Sequence, residues 1–139
     1  MFPRTREITD AMGARLRVGI EARPSGALVT LERPDQYGRP CARLDGYGAE
    51  LLWGYIMAAR LALPHDLPDE SIGGGFPSRL RLRRDPSVAI VITQADLERP
   101  FAIPATFWDR LYAELCLVTA HARDLARQAD ALVTQAVCE

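Results

Sequence analysis

The sequence predicts an α+β domain, an antiparallel sheet packed with helices in the order α-β-β-(β)-α-β-β-α, assembled as a dimer. Three observations carry this reading. Residues 15–32 and 78–93 each contain two runs of alternating apolar and polar residues joined by a short turn, the pattern of hairpin strands with one wet face. Residues 48–63 and the stretch from 106 onward show helical spacing instead. A chain of 139 residues is the length of one domain, so residues 1–139 are expected to share a single core.

The elements follow in order. Ile8, Ala11 and Met12 fall at helical spacing, which predicts a short amphipathic helix over residues 3–14. Leu16, Val18, Ile20 and Ala22 then alternate with Arg15, Arg17, Gly19, Glu21 and Arg23, as a strand requires. Pro24-Ser25-Gly26 supplies turn chemistry, and residues 27–32 form the second strand of a hairpin. A third, shorter strand is expected over residues 40–45, after the turn at Pro34-Asp35-Gln36-Tyr37-Gly38.

Between Gly48 and Leu63 only Glu50, Gly54 and Arg60 interrupt the apolar residues. Leu52, Tyr55, Ile56, Ala59 and Leu63 make one stripe, while Leu51, Trp53, Met57, Ala58 and Leu61 cover much of the rest. A helix that apolar needs burial on more than one side. One small sheet covers one side, which points to a second copy of the chain on the other, with Leu51, Trp53, Ile56 and Met57 as the dimer contact.

Pro64 ends this helix and opens a Pro/Gly/acid-rich connection, residues 64–77, expected to be a flexible loop inside the domain. Ser78 to Arg84 alternates again, Asp85-Pro86-Ser87 turns, and residues 88–93 read as a β-branched strand. The last third predicts one long helix with Thr106 as N-cap and Asp109 in its first turn. Trp108, Leu111, Leu115, Val118, Ala122, Leu125, Ala129 and Leu132 recur in steps of three and four, a heptad seam. A faint echo, Leu31-Glu32-Arg33-Pro34 against Leu97-Glu98-Arg99-Pro100, follows each hairpin.

All 17 basic residues are arginine, and lysine and asparagine are absent, a composition typical of a GC-rich coding sequence. With 18 acidic residues the net charge is −1, whereas an autonomous nucleic-acid-binding domain carries a clear basic excess. Cys41, Cys116 and Cys138 are odd in number and lack Cys-x-x-Cys spacing, which fits neither a disulfide framework nor a zinc knuckle. The N-terminus lacks a signal-peptide apolar run and no stretch reaches membrane-spanning length, so a cytoplasmic location without membrane contact is expected.

No constellation of residues points to catalysis, a metal or a cofactor. His65 stands with Asp66, Asp69 and Glu70 in the flexible loop, where a solvated acidic turn is the ordinary reading. His121 with Asp124 lacks a neighbouring nucleophile, and Cys116 lies in an apolar mid-helix context. Gly73-Gly74-Gly75 precedes a strand in a lysine-free chain, unlike a phosphate loop. Arginine rows remain: Arg15, Arg17 and Arg23 on the wet face of one strand, and Arg79, Arg81 and Arg83 on that of another. They could bind phosphate or carboxylate, or be paired by Glu21 and Glu32.

The apolar helix Leu51-Leu52-Trp53-Gly54-Tyr55-Ile56-Met57, the connection Gly73-Gly74-Gly75-Phe76, the hairpin from Leu80 to Ile92 and the long helix from Phe107 resemble the small acidic type III secretion chaperones that escort effectors. The resemblance runs from Leu51 to the end of the chain and implies a non-enzymatic homodimer. Such a protein binds the extended N-terminal segment of a secreted effector, keeping it soluble and competent for secretion. On that model Ile8, Met12, Val18, Ile20, Val29 and Leu31 are the candidates for contacting the effector. An alternative stays open, a duplicated sheet-plus-helix module similar to small single-strand DNA-binding transcription cofactors, using the arginine-lined sheet.

Overall fold

A computed structural model describes residues 4–24 and 26–138. Strands β1 (Arg4–Thr9), β2 (Arg15–Arg23), β3 (Gly26–Glu32) and β4 (Cys41–Asp45) lead directly into helix α1 (Gly46–Ala62). Strands β5 (Glu70–Ile72), β6 (Ser78–Arg83), β7 (Ala89–Gln94) and β8 (Phe101–Pro104) then pass through a 3₁₀ turn, Ala105–Phe107, into helix α2 (Trp108–Cys138). Each set of four strands is an antiparallel meander in sequence order, β1-β2-β3-β4 and β5-β6-β7-β8. The class is therefore α+β, with two antiparallel sheets and two helices.

The order is β-β-β-β-α twice, which corrects the expected α-β-β-(β)-α-β-β-α. The first correction falls on residues 3–14, where Arg4–Thr9 pairs with β2 from Arg4↔Ile20 to Thr9↔Arg15. The helical signal rested on three residues, and Gly13 at φ +83° interrupts it. Asp10 instead closes a tight turn, its Oδ1 accepting the N–H groups of Met12 and Ala14, each at 2.9 Å. Strands β5 and β8 carry no periodic signal, because three and four residues bounded by Gly or Pro are too short to show a period. Thr106 does not cap α2: it lies in the 3₁₀ turn, and its hydroxyl donates to Asp10 Oδ2 at 2.7 Å.

Register sorts the residues of each sheet into two faces. In the first, Ile8, Leu16, Val18, Ile20, Val29, Leu31, Ala42 and Leu44 point inward and are buried. In the second, Leu80, Ile90, Ile92, Phe101 and Ile103 do the same. Helix α2 lies on β2 and β3, while α1 touches β3, β4, β5 and β6, so one core serves both sheets. Two ion pairs clip the helices antiparallel, Glu50–Arg123 at 2.6 Å and Arg60–Asp109 at 2.6 Å.

The heptad seam of α2 is buried from Trp108 through Leu111, Leu115, Val118 and Ala122 to Leu125. Ala129 and Leu132 lie outside the described side chains. Trp108 also donates its indole N–H to the Ile103 carbonyl at 3.0 Å, pinning the start of α2 to β8. The four-residue echo occupies equivalent places, since each copy lies at or after the third strand of its sheet and before the fourth.

Candidate functional site

A cleft of about 980 Å³ opens where the β3–β4 side of the first sheet meets the start of α1 and the middle of α2. Its lining is mixed: Ala27, Leu28, Tyr47, Phe76 and Ala122 give an apolar surface, and Arg23, Arg43, Arg123, Asp45 and Glu50 give charge. Asp45 organises one wall. It is the N-cap of α1, its Oδ1 accepting the Gly48 N–H at 2.6 Å, while its Oδ2 accepts the Gly75 N–H at 3.2 Å. The loop that carries Phe76 is thus tied to the helix start. Gly74 fits there because its φ is +89° and a Cβ would stand 2.7 Å from Asp45 Oδ2.

Strand β4 is an edge of its sheet, and its middle is closed by a side chain from the other sheet. Gln94, at the end of β7, accepts the Arg43 N–H at 3.2 Å and donates to the Arg43 carbonyl at 2.5 Å. Its amide also donates to Ser78 Oγ at 2.8 Å, and Ser78 in turn donates to the Phe76 carbonyl at 2.8 Å. One carboxamide thereby occupies both outward backbone groups of Arg43, where a further strand would pair.

The two arginine rows differ. On the outer face of the first sheet, Arg15 bonds Glu7, Arg17 reaches Glu7 at 3.5 Å and Glu32 at 3.1 Å, and Arg23 reaches Glu21 at 3.3 Å. The Arg15 guanidinium holds the Glu7 carboxyl below the usual range. On the second sheet, Arg79 meets Asp69 at 3.1 Å, while Arg81 and Arg83 have no carboxylate among the described residues. Arg83 Nε is enclosed without a hydrogen-bond partner.

The residues expected to contact an effector are placed otherwise. Ile8, Val18, Ile20, Val29 and Leu31 are buried in the core on the inner sheet face, because that face packs against the helices. In this fold their side chains face the helices rather than solvent. Only Met12 is open, 85% exposed in the β1–β2 turn. Of the expected dimer residues, Ile56 is core and Trp53 is half-buried, its ring edge-to-face with Tyr112 at 5.6 Å. Leu51 is half-buried and Met57 is 40% exposed.

The apolar stripe that α1 leaves open keeps Leu51, Met57, Ala58 and Leu61 of the expected second side and adds Tyr47 and Gly54. It runs Tyr47, Leu51, Gly54, Ala58 and Leu61, flanked by Met57, with Tyr47 60% and Leu61 79% exposed. The spacing is three and four, and nothing lies within 4 Å of where a Gly54 Cβ would stand.

The remaining candidates are accounted for locally. In the segment 64–77, Asp66 bonds Arg84 at 2.9 Å, Asp69 bonds Arg79, and Glu70 begins β5. Tyr55 donates its hydroxyl to the Pro68 carbonyl at 3.1 Å, anchoring the same segment. No group of three His, Cys, Asp or Glu stands together among the described residues. His121 is half-buried with Nε2 unpartnered, and Asp124 bonds Arg127. Cys41 lines the cleft, but burial pushes its thiol up and Glu32 adds to the shift, so it stays protonated at neutral pH. No helix is long and apolar enough, among the described residues, to cross a membrane. Comparison with known protein families and with curated proteins returned no match.

Of these features, the arginine rows were visible as alternation. The cleft and the Gln94 contact were not, because both join elements far apart in the chain.

Proposed function

We propose that the chain is a non-enzymatic binding protein of the type III secretion chaperone kind, a cytoplasmic homodimer that holds an extended segment of an effector. The observation that supports this best is the cleft. Its apolar surface with a rim of both charge signs suits a stretch of polypeptide, whose backbone and mixed side chains need both. The exposed α1 stripe supports the dimer. In an antiparallel α1–α1′ contact centred on Gly54, Leu51 meets Met57 and Tyr47 meets Leu61, so one stripe serves both protomers.

Two measurements test the reading. Light scattering on the purified chain is expected to give twice the monomer mass, and Leu61→Glu is expected to give the monomer, by placing a charge in an apolar contact. A protein that is monomeric at micromolar concentration refutes the dimer. Co-expression with the N-terminal segment of a secreted protein encoded beside this chain is expected to yield a soluble complex. Thr119 lines the cleft from α2, and Thr119→Trp, which fills it, is expected to lose that complex while the protein stays dimeric. Equal capture by the variant refutes the cleft as the client site.

A second reading is favoured by the repeated β-β-β-β-α order, which is similar to the duplicated sheet-plus-helix module of the single-strand DNA-binding cofactors. It calls for salt-dependent binding of an oligonucleotide, since phosphate contacts release counterions. No binding at low salt removes it.

A further inference from the structure

We propose that the outer face of the second sheet, along the row Arg79, Arg81 and Arg83, is a docking surface for an acidic polypeptide segment in extended form. This surface is separate from the cleft, which none of the three arginines lines.

The argument starts from the contrast between the two sheets. Both carry three outward arginines on one strand, but Arg15, Arg17 and Arg23 are each matched by a glutamate from the same face. The other outward positions of the sheet are Ser71 on β5, Ala89, Val91 and Thr93 on β7, and Ala102 and Pro104 on β8. None is acidic, so Arg81 and Arg83 lack a carboxylate among the described residues. Arg81 is exposed, and Arg83 is half-buried with an enclosed, unpartnered Nε. Two neighbouring guanidiniums, of Arg81 and Arg83, left without a carboxylate on a face with small and β-branched neighbours call for an anionic partner.

The spacing identifies its form. Alternate residues on a strand stand roughly 6.6 Å apart, and so do alternate side chains of any other extended peptide. A segment with Asp or Glu at every second position therefore presents one carboxylate to Arg81 and the next to Arg83, the geometry arginine binds best. The chain already shows the first such contact, with Asp69 on Arg79 Nε at 3.1 Å. Nucleic acid fits less well. No outward position of this sheet is aromatic, so bases have no stacking platform. The net charge of −1 also supplies no basic field.

The test uses the full chain and a fluorescent synthetic peptide of alternating Glu and Ser, titrated by anisotropy at two salt concentrations. An alternating Gln-Ser peptide and an oligothymidylate serve as comparisons. The Glu-Ser peptide is expected to bind, more weakly at the higher salt. Arg81→Gln is expected to weaken it by about tenfold, from the loss of a charged hydrogen bond. Arg15→Gln, on the neutralised face, is expected to leave it unchanged. Arg81 is exposed, so its variant should fold, and far-ultraviolet circular dichroism checks this. Equal binding of the Gln-Ser peptide, equal binding by Arg81→Gln, or no Glu-Ser binding at low salt overturns the proposal. Tighter binding of the oligothymidylate also overturns it, and favours the nucleic-acid reading of the whole protein.

Discussion

Gln94 is the residue whose removal tells most about how the two repeats are joined. Its carboxamide makes three hydrogen bonds, two to the backbone of Arg43 and one to Ser78. Arg43 is exposed, so water replaces part of what Gln94→Ala removes, and each bond counts toward the lower part of the usual range. Three such bonds make about 2 kcal/mol. For a chain of this size, that lowers the melting temperature by about 8 °C. Circular dichroism melts read this directly, and amide hydrogen exchange at Arg43 reads it locally, because its N–H loses its acceptor. Freed backbone groups on an edge strand also invite pairing with another chain. Size-exclusion chromatography of Gln94→Ala is therefore expected to show concentration-dependent species larger than wild type. Gln94→Glu sharpens the test: the carboxylate keeps the acceptor for the Arg43 N–H but loses both donated bonds, and protonation below about pH 4 restores one donor. A Gln94→Ala protein with wild-type melting and unchanged protection at Arg43 would refute the claim that this side chain closes the edge.

Other outcomes follow from equally local contacts. Arg33 is buried, over the Phe107 ring at 5.1 Å, and its hydrogen bonds to Asp35, aided by the Arg15 N–H, hold the Asp35 carboxyl below the usual range. A lowered folded pKa contributes stability above the unfolded value near 3.9, and that contribution is lost as pH falls through the folded value. Asp35→Asn is thus expected to melt below wild type at neutral pH, with the difference closing in acid; a pH-independent difference contradicts this. Trp108→Phe keeps an aromatic ring in the core but removes the indole bond to the Ile103 carbonyl, which still faces Ile90 in the β7–β8 ladder, at a cost of about 1 kcal/mol in denaturant unfolding. Unchanged stability would mean that the indole N–H contributes nothing to the joint between β8 and α2.

Long, regular elements were legible in the sequence. Residues 15–23 and 26–32 alternate cleanly, and α1 and α2 show helical spacing over 17 and 31 residues. The short edge strands were not. β1 carries one inward apolar residue, Ile8, and its neighbour Arg6 turns to Glu114 on α2 at 3.2 Å, so its alternation is written in polar side chains. β5 and β8 are defined by their pairing with β6 and β7 rather than by their own composition. The same limit applies to the residues expected to contact a partner. Val18 and Leu31 alternate as strand residues should, but alternation does not say which covering element uses the apolar face. Because α2 lies there, the available surfaces are those that the register turns outward and the stripe that α1 leaves open.

The repeated β-β-β-β-α order gives the two halves the same layout, and their outward chemistry then becomes a direct comparison. In the first half, the outward arginines of β2 meet glutamates from β1, β2 and β3, so that row is neutralised. In the second, β5 is three residues long and β8 four, and neither brings an acidic side chain to the outer face. Shortening the strands that would carry the counter-charges leaves Arg81 and Arg83 of β6 unmatched while the core beneath remains complete, with Leu80, Ile90, Ile92 and Ile103 buried. Stability therefore does not require the row to be unpaired. Carboxylates at Val91 and Ala102, opposite or near Arg81, are expected to leave the melting temperature close to wild type while abolishing acidic-peptide binding. Retained binding in such a variant would place the interaction elsewhere on the molecule.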